Sequence, residues 1–160
     1  MALRKILTDA EAALHKTCKP VTAFDSKLHT LLDDMRDTMM EANGVGLAAP
    51  QVGILRRVVV VLDTNREELE EEDQIIELVN PAIIEVAGEQ TGAEGCLSVP
   101  GVYGIVTRPE YVKVRAQDRF GKVFEVEGTG LTARAFCHEI DHLDGVVFVD
   151  KVIEYLEDDE

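Results

Sequence analysis

The apolar positions along the chain fall into a few clear periods. Leu28, Leu31, Leu32, Met35 and Met39 recur at helical spacing behind a capping residue at Asp25 or Ser26. Asn43-Gly44 supplies the stop, which predicts an amphipathic helix with its stripe in the core. His29 falls off that stripe and is expected at the surface. Ahead of it, residues 10–15 read as a short helical turn in a surface segment closed by Pro20. Residues 44–51 are small and end in Pro50-Gln51, a loop signal. It leads into the uninterrupted apolar run Val58–Leu62, a buried strand. Residues 75–79 and 83–86 read as a strand pair broken at Asn80-Pro81. Residues 111–115 and 123–127 alternate with period two about Asp118-Arg119-Phe120-Gly121, which predicts a hairpin with one solvated face. A last helix runs from about residue 132 to residue 143, stops at Gly145, and precedes an extended or strand piece at 146–149. One helix before the strands and one after them define an α+β class rather than alternating α/β.

At 160 residues the chain is expected to form one domain, 1–160, burying roughly two thirds of its unfolded surface. Its formal net charge of −15 disfavours direct nucleic-acid binding and anionic lipid. Much of that charge is local, in an acidic loop at 67–73 and an acidic tail at 154–160, both read as solvated. No apolar run approaches the ~20 residues of a membrane span, and the start Met-Ala-Leu-Arg-Lys lacks the core of a secretory signal. A cytoplasmic protein with no membrane partner is expected. Cys18, Cys96 and Cys137 are too few and too scattered for a disulfide framework, so reduced thiols are available as ligands.

The chemistry centres on residues 137–142, Cys-His-Glu-Ile-Asp-His. On a helix, His138 and His142 lie four residues apart on one face and reach a single metal ion. Glu139, one position round, exchanges protons with a bound water without ligating the ion. Leu131, Ala135, His138, Glu139 and His142 share that face, and three ionisable groups on a face begun by apolar residues need partners that a metal supplies. The third ligand is assigned to Cys96, in the small-residue segment Glu94-Gly95-Cys96-Leu97-Ser98 between strands. One thiolate and two imidazoles leave a fourth position for water, the composition of a catalytic site. Cys137 is the rival. Adjacent helical residues point about 100° apart, so it faces away from the ion and reads as a small buried hydrophobe.

Three stretches, 44–51, 94–98 and 138–142, together resemble the signature motifs of the peptide deformylases, over a length running to about Lys151. The resemblance implies a single catalytic domain of mixed, mainly antiparallel sheets packed around the central helix that carries the two histidines. It implies removal of the formyl group from the N-terminal formyl-methionine of nascent bacterial proteins, with release of formate. Cys96, His138 and His142 match the family's metal ligands and Glu139 its acid/base; Gln51 and the Leu97 N–H match its oxyanion-stabilising groups. The backbones of Val45 and Gly46, and of the segment from Gly101 to Tyr103, would hold the substrate peptide as an added strand. Gly44, Val45, Leu97, Leu131, Ala135 and His138 would form the methionine pocket. Ligand type alone points to zinc, whereas the resemblance implies Fe2+ as the natural ion, with Zn2+, Ni2+ or Co2+ able to replace it. Some relatives carry an arginine beside the bound peptide where this chain has Val102-Tyr103, and Arg108 is expected to take that role. Others end in a basic helix that docks on the ribosome. The acidic end of this chain, Glu157-Asp158-Asp159-Glu160, leaves at most a transient ribosome contact of another kind.

Two other readings remain at this stage. A zinc protease built on the same pentad takes its third ligand downstream, where only Glu154 and Glu157 offer carboxylates. A metal-stapled, inactive domain would need neither Glu139 nor Gln51.

Overall fold

The computed structural model describes residues 2–8 and 11–156. Helix α1 (Ser26–Glu41) begins where the Asp25 carboxylate accepts the Leu28 N–H at 3.1 Å, and its stripe from Leu28 to Met39 is buried as the spacing requires. Beyond it, β1 (Gly46–Ala48) pairs antiparallel with β2 (Val58–Leu62), so part of the expected loop at 44–51 is a strand. Ala49–Val52 closes it as one turn of 3-10 helix with Gln51 facing inward. The acidic loop contains a single helical turn, α2 (Glu71–Gln74).

The expected strand pair at 75–86 is one long strand, β3 (Ile75–Ala87), bent at a bulge between Val79 and Ala82. Asn80 adopts φ 52° there, and its amide donates to the Val21 carbonyl and accepts the Val21 N–H, so Asn80-Pro81 bends the ladder without ending it. The predicted hairpin forms as β6 (Tyr111–Gln117) and β7 (Val123–Thr129) and completes a five-stranded sheet ordered β1-β2-β3-β6-β7. A second hairpin went unread in the sequence. It consists of β4 (Gln90–Cys96) and β5 (Val99–Arg108), joined through Leu97-Ser98 and extended by the short β8 (Glu154–Tyr155). Its glycines hid it: Gly95 lies beneath the Tyr103 ring and Gly104 beneath Val152, so in each case one residue's packing is supplied by another.

Helix α3 (Gly130–Leu143) lies between the two sheets and is buried almost all round. Val59, Val61, Leu78, Val112 and Val114 pack on its Ala133, Phe136 and Ile140, whereas Val58 and Val60 face α1 on the opposite side of the sheet. Burial on both faces explains the unbroken valine run of β2. The small sheet covers the remaining side of α3 with Val99 and Val106 against Leu14, Val147 and Phe148. The segment expected as extended at 146–149 becomes a 3-10 turn, Phe148–Lys151, because Gly145 turns the chain at φ 77° and Asp150 accepts the Val147 N–H. His29 is half-buried rather than exposed, its Nε2 at 2.8 Å from the Arg119 carbonyl and its ring edge-on to Phe120. No described helix is long and apolar enough to cross a membrane. Of the acidic tail, residues 154–156 run beside β5, and residues 157–160 lie outside the described residues.

Candidate metal centre

Helix α3 presents His138 and His142 one turn apart, with ring centroids 5.0 Å apart and planes at 71°. The end of β4 brings Cys96 to them. One donor atom from each of Cys96, His138 and His142 lies within 4.8 Å of the others, and Cys96 Sγ is 3.4 Å from His142 Nε2. Cys137, buried on another side of the helix, is not part of this group, and burial pushes its thiol up to about 11. Glu154 sits on β8 opposite Ile105, and Glu157 lies outside the described residues, so the downstream carboxylates supply no third ligand among those described.

Glu94 was missed in the sequence, and it organises the histidines. Two residues before Cys96 on the same strand, it shares that face, a period-two signal that could have found it. Its buried carboxylate accepts His138 Nδ1 at 2.5 Å, Arg134 Nη1 at 2.7 Å, and Arg108 through Nε at 3.1 Å and Nη2 at 2.7 Å. Burial alone would raise this carboxyl. The His138 and Arg108 hydrogen bonds outweigh that and hold it well below the usual range. With Nδ1 donating to Glu94, His138 keeps the Nε2 lone pair for the cleft. Arg108 also donates to Asp141 Oδ2 at 2.7 Å and is 3% exposed, so it stands behind the histidine and not beside a bound peptide as expected.

Glu139 lies deep in the cleft, its Oε2 3.9 Å from His138 Nε2 and its Oε1 buried without a partner. Burial raises its carboxyl to about 7. Burial also lowers His142 to about 3, assisted by the charge of His138. Burial opposes a charged His138 as well, but Glu139, Cys96 and Glu94 outweigh it and raise its pKa. Burial thus keeps His142 neutral, with its lone pairs available, while the carboxylates of Glu94 and Glu139 favour a positive charge at His138, beside the point between Cys96, His138 and His142. A divalent ion fits that demand, and the unpartnered Glu139 oxygen leaves an acceptor for a water beside it.

The walls of the cleft explain several small residues. A Cβ on Gly46 would stand 2.6 Å from Glu139 Oε2, and one on Gly44 would stand 2.8 Å from Leu97 Cδ1. Gln51 is fixed at both ends of its amide: Oε1 accepts the Ala48 N–H at 2.9 Å, while Nε2 donates to Ser98 Oγ at 3.1 Å and points toward Cys96 Sγ at 3.7 Å. The cleft, about 460 Å³, is bordered by Gly44, Val45, Gly46, Gly95, Leu97, Gly101, Tyr103, Leu131 and Ala135. β1 ends one sheet and β4 ends the other, so two unpaired strand edges meet the same cleft. Tyr103 is committed on its own strand, opposite Gly95 in the ladder and accepting the Leu156 N–H at 2.9 Å.

Metal-dependent hydrolysis of an extended peptide is the chemistry such a cleft supports. Comparison with known proteins narrows the class. The profile of the polypeptide deformylase family matches residues 3–157. The chain is 57% identical over 160 residues to a peptide deformylase of Caldicellulosiruptor bescii, covering all of this chain and 92% of that protein. It is 54% identical to peptide deformylase 1 of Bacillus subtilis, covering all of this chain and 96% of that one. Among solved structures, a peptide deformylase from Legionella pneumophila superposes with a TM-score of 0.87 at 50% identity, over 94% of this chain and 86% of that one. One from Thermotoga maritima gives 0.86 at 37% identity, over 95% and 99%. The chain belongs to the peptide deformylase family. It is a metal-dependent hydrolase that removes the N-formyl group from nascent peptides.

Proposed function

We propose that Cys96, His138 and His142 hold the catalytic ion and that Glu139 is the proton carrier of the deformylation. The observation that carries this is the Glu139 carboxyl, buried, raised to about 7 and left with one oxygen unpartnered beside the three donors. When bound, the ion supplies Lewis acidity toward water and toward the formyl carbonyl. Glu139 takes the proton of the attacking water on Oε1 and delivers it to the departing amine nitrogen, giving formate and a free N-terminus. Gln51 Nε2 and the Leu97 N–H donate to the oxygen that gains charge. The Ala48 N–H holds the Gln51 amide so that its nitrogen, not its oxygen, faces that point.

The substrate enters as a strand between the free edges of β1 and β4, with Val45 and Gly46 on one side, Gly95 on the other, and Gly101 and Tyr103 at the rim. Main-chain pairing accepts many sequences. The methionine side chain lies among Gly44, Val45, Leu97, Leu131, Ala135 and His138. A formyl carbon carries only hydrogen. A site that closes around so small a group rejects the bulkier carbonyls of internal peptide bonds. The ion is Fe2+, in keeping with the family resemblance; Zn2+, Ni2+ and Co2+ suit the same sulfur and nitrogen donors. The enzyme works in the cytoplasm on formyl-methionyl chains as they leave the ribosome.

Glu139→Gln tests the assignment. Metal analysis should show one ion per chain, as in the parent, while formate release from formyl-Met-Ala-Ser falls by about 10²- to 10⁴-fold. Turnover near the parent's would remove Glu139 as proton carrier.

A further inference from the structure

Two arginines share the buried carboxylate of Glu94, and they are not equally satisfied. Arg108 donates through Nε and Nη2 to Glu94 and through Nη1 to Asp141, so every nitrogen of its guanidinium has an acceptor. Arg134, 6% exposed, donates through Nη1 to Glu94 Oε2 at 2.7 Å, and its Nε and Nη2 make no hydrogen bond among the described residues. Neither nitrogen is sealed off, and Arg134 lines the cleft. Gly92 lies on the face of β4 that carries Glu94 and Cys96, where a Cβ would stand 3.5 Å from Nη2, so the missing side chain leaves that nitrogen uncovered. A guanidinium stays charged at any ordinary pH, and a desolvated N–H without an acceptor is costly. Water meets these donors in the free enzyme. Once a peptide fills the cleft, the acceptor has to come from the peptide.

The place of Arg134 on its helix decides which part of the peptide faces it. Leu131, Arg134, Ala135 and His138 form one stripe of α3 along the cleft, and all but Arg134 are placed around the methionine side chain in the function proposed above. Arg134 stands one helical turn before His138, about 6 Å along the axis. A methionine sulfur is separated from the formyl carbon by N, Cα, Cβ and Cγ, a reach of about 6 Å in an extended chain. With the formyl carbon beside His138, the sulfur therefore comes level with the guanidinium. We infer that Arg134 is a specificity residue of the methionine pocket and that it extends the substrates to formyl-methionine sulfoxide chains, its free N–H groups donating to the S=O oxygen. This rests on the deformylase reading of the cleft. A thioether is a weak acceptor and answers the donors poorly, whereas the sulfoxide carries a strong acceptor on the same atom. A wholly apolar pocket would reject that polar, chiral side chain, and Arg134 supplies the partner such a pocket lacks. The reaction itself is unchanged. Water adds to the formyl carbon, the C–N bond breaks, the nitrogen takes the proton and formate leaves, with the S=O bond untouched and no oxidant or reductant consumed.

The test uses the full chain with its metal and compares formyl-Met-Ala-Ser, formyl-norleucine-Ala-Ser and the two sulfoxide epimers of the methionine peptide, with kcat and KM read from formate release. The parent should cleave one epimer with kcat/KM within about 10-fold of the methionine peptide, and should favour it over the other by about 10-fold, because a fixed donor reaches only one of the two oxygen positions. Arg134→Met should raise KM for the favoured epimer, lower its kcat/KM by about 10- to 100-fold beyond any change with norleucine, and bring the two epimers level. A loss common to every peptide measures the support that Arg134 gives Glu94, and it cancels in the ratio. Arg134→Lys keeps a charge beside Glu94 but loses the planar fork, so it should narrow the epimer preference in the same direction. Cleavage of both epimers by the parent below about 1% of the norleucine rate, or an epimer ratio indifferent to both substitutions, overturns the inference while the deformylase reading stands on the methionine and norleucine peptides. Absence of turnover with those two peptides would overturn that reading and the inference with it.

Discussion

Gly46 shows how closely single residues are matched to the chemistry. Its missing side chain is the space that the Glu139 carboxylate occupies, since a Cβ would come within 2.6 Å of Oε2 and 2.7 Å of Cγ. Gly46→Ala should therefore push Glu139 off its position with little effect on the fold. A displacement near 1 Å can cost about 10²-fold in rate, so formate release should fall by that order while metal content stays at one per chain. Parent-like turnover would show that Glu139 has slack. The two cysteines nearest the histidines separate in the same way. Cys96→Ser should lose most of its metal on gel filtration, and Cys137→Ser should keep it, because only Sγ of Cys96 reaches the cluster. In metal-free protein, a disulfide reagent at neutral pH should modify one thiol rapidly. Burial raises both Cys18 and Cys137, leaving Cys96, half-exposed at the cleft, as the reactive group.

At the scale of elements, legibility followed local periodicity. Helix α1, the run at β2, the β6–β7 hairpin and α3 all declare themselves through a 3.6 or 2 residue period, and α3 carried its own chemical motif. The β4–β5 hairpin did not, because β4 is built from glycine, alanine, threonine and polar residues, and the apolar run of β5 is interrupted by Pro100, Gly101 and Gly104, where Val152 supplies the packing. Consequently Cys96 could be named as a ligand while the strand that aims it stayed invisible. The same gap hid the Glu94, Arg108 and Arg134 network, which ties that hairpin to α3. Asn80-Pro81 misled in the opposite direction, since a bulge satisfied by Val21 lets β3 continue through a pair of strand breakers. The buried network also carries stability. Removing Arg108 leaves Glu94 desolvated with fewer donors, so Arg108→Met should cost about 3 kcal/mol, the lower end for a broken buried pair, and lower the thermal midpoint by several degrees. Arg115→Met, which removes an exposed cross-strand partner of Glu125, should leave the midpoint unchanged.

For the whole molecule, an ion between Cys96, His138 and His142 would join layers that otherwise meet through side-chain packing and the hydrogen bonds of Glu94, Arg108 and Gln51. His138 and His142 ride on a helix packed against the five-stranded sheet, and Cys96 ends a strand of the three-stranded one, so an ion held by all three fastens the small sheet to the rest. Ligation of the native state alone shifts the folding equilibrium by RT ln(1 + [L]/Kd), about 2.7 kcal/mol at a free ion concentration 100 times Kd. For a chain of this length that corresponds to a midpoint shift of about 5 to 10 °C. Anaerobic chelation should therefore lower the calorimetric midpoint by that amount, and returning Fe2+ should restore it. Cys96→Ser should lie near the chelated value whether or not metal is added, because one arm of the fastening is gone. A Cys96→Ser midpoint that still rises with metal as much as the parent's would mean that the histidines bind the ion without engaging the small sheet, and the layers are not joined through it.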